Sequence, residues 1–328
     1  MRSSGWIGRA GTALAAALMS ASVLTAPAHA AVDTGPPLSV RPAALAAGLH
    51  CPADLEHTTR EVVLLVPGTT MTAVEAYSWT YMPAFDALGI PYCYVEPPDR
   101  SMGDIQVSAE YSVYGIREIH RRTGRKVQIL GWSQGGTQPR WALRWWPDLR
   151  AMVDDYVGIT PSAHGGRSVN VLCTPNCPPS FWQQRDGAEF EAAMNSGRET
   201  FPGIDYTVVW THFEQVVTPA EHSTIAGATN IATQDICPSN TGDHFALGTY
   251  DPVAYAVVLD ALTHAGPADP ARIDRSVCGR SYSPFVDPIT MPLSLARMMA
   301  NVTEQYLTYL RPDREPPLRD YARHYARS

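Results

Sequence analysis

The chain has 328 residues, 45% hydrophobic and 17% charged, with a formal net charge of −7. That is length and apolar content enough for one large domain with a sizeable core. The acidic balance speaks against nucleic acid, whose phosphates it would repel.

In chain order, the first thirty residues read as a secretory signal. Arg2 and Arg9 make a basic start, residues 10–25 are apolar but short of the roughly 20 residues that span a bilayer, and Ala28-His29-Ala30 offers a small-x-small cleavage site. Cleavage near Ala30 removes the two arginines and would leave a secreted, extracellular chain with net charge −9 and no integral membrane segment. Residues 31–50, rich in Ala and Pro, read as a loosely held arm.

The core pattern opens with "EVVLLV", 61–66, an apolar run stopped by Pro67-Gly68 that predicts a strand buried on both faces. "YCYV", 92–95, predicts a second strand. Residues 107–122 are spaced as a helix that Gly124 could cap. "KVQIL", 126–130, "VDDYVGI", 153–159, and "DYTVVWT", 205–211, predict further strands, and 252–266 a helix stopped by Gly266-Pro267. Strands alternating with helices imply a mostly parallel sheet covered on both faces. Between 163 and 200 the pattern gives way to Gly, Pro, Asn and Cys, as an insertion over one end of the sheet would. After Cys278 come a helical segment near 293–310 and a tail, 311–328, read as an appendage. The expected organisation is a signal at 1–30, a catalytic domain at 31–280 and a C-terminal extension at 281–328.

"GWSQG", 131–135, fits G-x-S-x-G and comes directly after the strand at 126–130. A serine on a sharp strand-to-helix turn needs small residues two places away on each side, and the helix beyond aims free N–H groups at its hydroxyl. Ser133 is therefore the candidate nucleophile. Pro139 is out of place in the expected helix, where it removes a hydrogen bond.

A serine hydroxyl needs a base. In the order Ser, acid, His, His164 comes before the acid-bearing strand and His212 before the acid; His264 falls in a predicted helix and His324 in the tail. Of the remaining His222 and His244, His244 lies in a polar, glycine-bounded loop, "NTGDHFALG", and is the expected base. Glu214, three residues past the strand at 205–211, is the expected acid. Gln134, after the nucleophile, and Thr69, in "VPGTT", are the expected oxyanion donors.

All six cysteines, Cys51, Cys93, Cys173, Cys177, Cys237 and Cys278, lie outside the signal, and an even count in an exported chain favours disulfides. Six cysteines allow 15 pairings, among which spacing does not choose. "CTPNC", 173–177, has no histidine pair beside it, so no metal is expected there, and no cofactor elsewhere.

Taken in order, "LLVPGT", "CYVEPP", "QVSAEY", "GWSQGG", "RWALRWWPDLR", "SFWQQ", "FEQVVTP" and "DHFALG" resemble the Candida antarctica lipase B family of α/β hydrolases, from about Cys51 to Cys278. The resemblance implies an α/β-hydrolase fold with a lid-like insertion near 163–200, the same five site residues, and bridges Cys51–Cys93, Cys237–Cys278 and Cys173–Cys177. The chain departs from it in having Glu where the family's acid is typically Asp, and Ser162 where the relative carries an acidic residue. Trp132 and Gln184 are expected to line the pocket, and Trp141, Trp145 and Trp146 to be core. The expected activity is ester hydrolysis, of triacylglycerol first, with transient contact at a lipid interface. The alternatives are an esterase or acyltransferase for soluble or polymeric esters, and a non-catalytic binding protein on the same scaffold. The sequence says nothing of oligomeric state.

Overall fold

The structure, a computed structural model, describes residues 33–325 together with Gly8, so the signal expected at 1–30 lies outside the described residues apart from Gly8. Seven strands form one sheet: β1 Leu49–His50, β2 Val62–Val66, β3 Tyr92–Val95, β4 Val127–Trp132, β5 Val153–Ile159, β6 Asp205–Trp210 and β7 Thr229–Ala232. Their order is β1-β3-β2-β4-β5-β6-β7. Only β1 runs antiparallel to its neighbour; every other pairing is parallel. Among the helices that cover the sheet or border its carboxyl edge are α1 Ile105–Thr123, α2 Gln134–Trp145, α3 Arg167–Leu172, α4 Pro179–Gln183, α5 Glu189–Asn195, α6 His244–Thr249, α7 Pro252–Thr263 and α8 Met291–Thr308. This is the α/β-hydrolase fold.

The apolar run of β2 is buried at every residue because helices cover both faces of the sheet. Val62, Leu64 and Val66 join one core with Ile116 of α1 and Trp141 of α2, whereas Val63 and Leu65 join another with Val257 of α7. That split is the period-two alternation of a strand. Trp141 and Trp146 are fully buried, and Trp141 stacks on Phe190 with centroids 4.4 Å apart. Trp145 is only half-buried, packed on the edge of the same core.

Two expectations on organisation change. The described part of the N-terminal arm is not loose. The buried Glu110 carboxylate accepts from Ser39 N at 2.6 Å, Ser39 Oγ at 2.7 Å and Val40 N at 2.8 Å, and Trp146 Nε1 donates to Pro36 O at 2.8 Å. Burying that carboxylate requires such donors, which a composition rich in Ala and Pro does not reveal. Nor is the C-terminal segment set apart. Leu318 and Ala322 are buried in the first core, and Tyr306 Oη on α8 donates to Leu172 O at 2.7 Å, tying α8 to the insertion. The cysteines are joined as Cys51–Cys93, Cys173–Cys177 and Cys237–Cys278.

β4 ends in a turn where Ser133 takes φ 57°, ψ −128°, and α2 starts at the next residue. A Cβ on Gly131 would lie 2.1 Å from Gly135 O, and one on Gly135 2.1 Å from Val66 O. Backbone on every side leaves no room for either. α2 runs unbroken through Pro139. Gly135→Ala should therefore destabilise by on the order of 1–3 kcal/mol, read as a fall in the urea midpoint; an unchanged midpoint would contradict the packing described.

Candidate active site

Ser133 and His244 line the same cavity, of about 280 Å3, at the carboxyl ends of the strands. The rest of the site is built around that pair. β6 ends at Trp210, and the turn beyond it carries Glu214, whose side chain is fully buried. Glu214 Oε2 lies 2.9 Å from His244 Nδ1. Its other oxygen accepts from Val216 N at 2.7 Å and Val217 N at 3.0 Å, so the extra methylene of Glu is taken up by folding the carboxylate back on its own turn. Burial pushes the Glu214 carboxyl up. The positive form of the His244 ring, the bond to it and the two backbone N–H groups outweigh that and hold it below its ordinary value.

His244 is not in an open loop, as expected from its sequence, but is the first residue of α6. Asp243 caps that helix, its Oδ1 accepting from Phe245 N at 3.1 Å and Ala246 N at 2.9 Å. The polar letters before His244 are a helix cap, which by composition resembles a loop. The backbone around His244 is pinned from behind: Trp132 Nε1 donates to His244 O at 3.2 Å, and Thr211 Oγ1 donates to Gly242 O at 2.7 Å.

Trp132 therefore does not line the pocket. It is fully buried and packs under α6, where a Cβ on Gly248 would fall 2.0 Å from its ring. Its neighbour Ser133 faces the cavity because side chains alternate across a strand end. Gln184 does line the cavity. It connects three positions distant in sequence: Ser162 Oγ donates to Gln184 Oε1 at 2.9 Å, Gln184 Nε2 donates to Thr69 Oγ1 at 3.0 Å, and Thr69 Oγ1 donates to Gln134 Oε1 at 3.2 Å. Gln134 opens α2, so its N–H has no acceptor within the helix. Thr69 is bonded to Gln134, the residue after Ser133, and lines the cavity with Ser133.

The remaining wall is mostly apolar, with Val169 and Leu172 of α3, Phe181 of α4, and Val302 and Leu307 of α8, beside Thr303 and Tyr306. Sequence reasoning missed α3 and α8 as walls. Val302 and Tyr306 are four apart, as one helix face requires, but periodicity does not say what that face meets. Such a cavity accommodates the apolar arms of an ester beside a hydroxyl, an imidazole and N–H donors.

Two relatives resemble most of the chain. Lipase B of Pseudozyma antarctica is 27% identical over 305 residues, 89% of this chain and 87% of the relative. The crystal structure of Aspergillus fumigatus lipase B superposes with a TM-score of 0.82 at 30% identity, over 88% of this chain and 74% of that one. A Bacillus licheniformis lipase in its propeptide form shares the fold, with a TM-score of 0.51 at 16% identity over 67% of this chain and 54% of that one. No protein-family profile matches the chain.

The depressed Glu214 carboxyl has a consequence for stability. Its contribution is fully present above the ordinary value of 4.5 and is lost as pH falls through the lower folded value. Unfolding free energy should drop on passing from neutral pH to below 4.5, and Glu214→Gln should shrink that drop; urea titrations at the two pH values check it, and an identical drop in both proteins would contradict it.

Proposed function

Since the chain belongs to the lipase B family of α/β hydrolases and is a carboxylic ester hydrolase, we propose that it is a secreted triacylglycerol lipase working through an acyl-enzyme on Ser133. The observation that carries this reading is the buried 2.9 Å bond between Glu214 and His244, whose imidazole shares a cavity wall with a serine held at φ 57°.

In this mechanism Ser133 Oγ attacks the ester carbonyl while His244 Nε2 takes its proton. Glu214, bound to Nδ1, keeps the free lone pair on Nε2 and stabilises the imidazolium that forms. The carbonyl oxygen becomes an oxyanion beside the Gln134 N–H and the Thr69 N–H and hydroxyl. The tetrahedral intermediate collapses as His244 protonates the departing alcohol. Water, deprotonated by the same imidazole, then attacks the acyl-enzyme, and Ser133 recovers its proton as the acid leaves.

Three supports bear on the substrate and the compartment. The named relatives are lipases. The cavity walls on α3 and α8 are mostly apolar. A signal-like start and three disulfides suit an exported chain.

A fluorophosphonate probe should label Ser133 in the folded chain, and Ser133→Ala should abolish turnover with thermal melting nearly unchanged; absence of an adduct removes the proposal. Glu214→Gln should lower kcat by about 10⁴-fold, the scale seen when a triad acid loses its charge, and wild-type rates would assign the role elsewhere. Tributyrin and a long-chain triglyceride should be turned over faster than a soluble nitrophenyl ester; the reverse order identifies an esterase.

A further inference from the structure

The cavity at Ser133 is not the larger one. Another, of about 800 Å3, opens where the far end of α2, the turn at 196–202 and the C-terminal segment meet. Its lining carries three guanidinium groups, Arg144, Arg150 and Arg198, with His324 beside them. Among the described residues no carboxylate pairs with any of the three arginines. Arg144 donates through its terminal nitrogens to Ser196 and to Arg198 O, and Arg150 donates to Leu143 O at 2.9 Å and Arg144 O at 2.9 Å. The carboxylates that face them are engaged: Glu199 is held by Arg140 and His164, and Asp33 accepts from Gly35 N.

Two buried donors in this lining have no partner among the described residues, Arg144 Nε and Trp145 Nε1. An unmatched buried N–H is costly, and so is gathering like charges. Burial lowers the Arg144 guanidinium, and its neighbours Arg140 and Arg150 lower it further; Arg150 is lowered by burial and by Arg198. A chain of net charge −7 has no general attraction for anions, so this field is local to the cavity.

The other walls are aromatic. The Trp145 and Tyr321 rings lie 5.6 Å apart, and the Arg150 guanidinium sits 3.8 Å over the Phe201 ring. Inorganic anions would satisfy the charges and leave the Trp145 and Tyr321 rings without an apolar neighbour from the ligand. A planar carboxylate suits the Arg198 guanidinium and the N–H groups that Arg144 and Arg150 keep beyond their backbone bonds, and an apolar body suits the rings. Ester hydrolysis releases compounds of that description.

We propose that this cavity is an accessory site for an organic carboxylate with an apolar body, its head held by Arg144, Arg150 and Arg198 and its body laid against Trp145, Phe201 and Tyr321. The site lies at the opposite end of α2 from Ser133, and only the phosphonate block in its test, checked by intact mass, rests on the proposed function. Its ligand joins α2, the 196–202 turn and the C-terminal segment, so occupancy stabilises the fold.

The test uses the full chain with Ser133 blocked by a phosphonate, titrated calorimetrically with octanoate, inorganic phosphate and octanol. Octanoate should bind saturably with one site per chain, phosphate at least about tenfold more weakly, and octanol not at all. Arg198 is exposed and makes no side-chain hydrogen bond among the described residues, so Arg198→Gln should fold as the parent does and weaken octanoate about tenfold. Arg150→Gln, checked for fold by circular dichroism, is the second variant. Loss of binding in either folded variant supports the site. Phosphate binding as tightly as octanoate, no saturable octanoate binding, or unchanged affinity in both variants overturns it.

Discussion

The close approach of backbone at the serine turn is the constraint on which the rest depends. Gly135 lies against the Val66 carbonyl and Gly131 against Gly135, with no space for a methyl group at either. That contact lets α2 begin immediately after β4, with Ser133 at a positive φ that costs energy for any non-glycine residue. The two cores on either side of the sheet offset that strain by holding β2 and β4 in register. Without that register the hydroxyl would not face the cavity.

A second requirement arises from the first. A hydroxyl at the sheet edge is inert until an imidazole is held beside it, and the imidazole must be oriented by a carboxylate taken out of water. The protein offsets that desolvation by giving Glu214 three donors, His244 Nδ1 and two backbone N–H groups. The backbone bonds explain how a glutamate is accommodated in place of the family's usual aspartate. The turn at 214–217 closes on the longer side chain, and the His-bearing helix is anchored separately through Asp243 and Trp132.

The α3 and α8 walls supply the apolar side of the cavity that Ser133 and His244 share. Neither helix contributes to the sheet or to the group formed by Ser133, His244 and Glu214. Together they supply the apolar surface against which acyl or alkyl arms lose water. The bond from Tyr306 to Leu172 couples them, so the shape of the pocket depends on a C-terminal helix far along the chain from Ser133 and His244.

Much of this was legible in the residues. An apolar run stopped by Pro67-Gly68 located β2, helical spacing before Gly124 located α1, and Gly266-Pro267 bounded α7; the glycine spacing around Ser133 is a steric rule written in five letters. Such signals are local, because strand burial, helix period and turn sterics act over a few residues. Strands β1 and β7, two and four residues long, carry too little pattern to be read and exist because their neighbours offer a free edge. Trp132 and Ser133 are adjacent letters with opposite fates, one under α6 and one in the cavity, and only the direction of the strand end separates them. The anchoring of the N-terminal arm on Glu110, the cavity walls on α3 and α8, and the gathering of Arg144, Arg150 and Arg198 likewise needed the tertiary structure. Each depends on groups brought together from distant parts of the chain, and no local preference encodes which surfaces will meet.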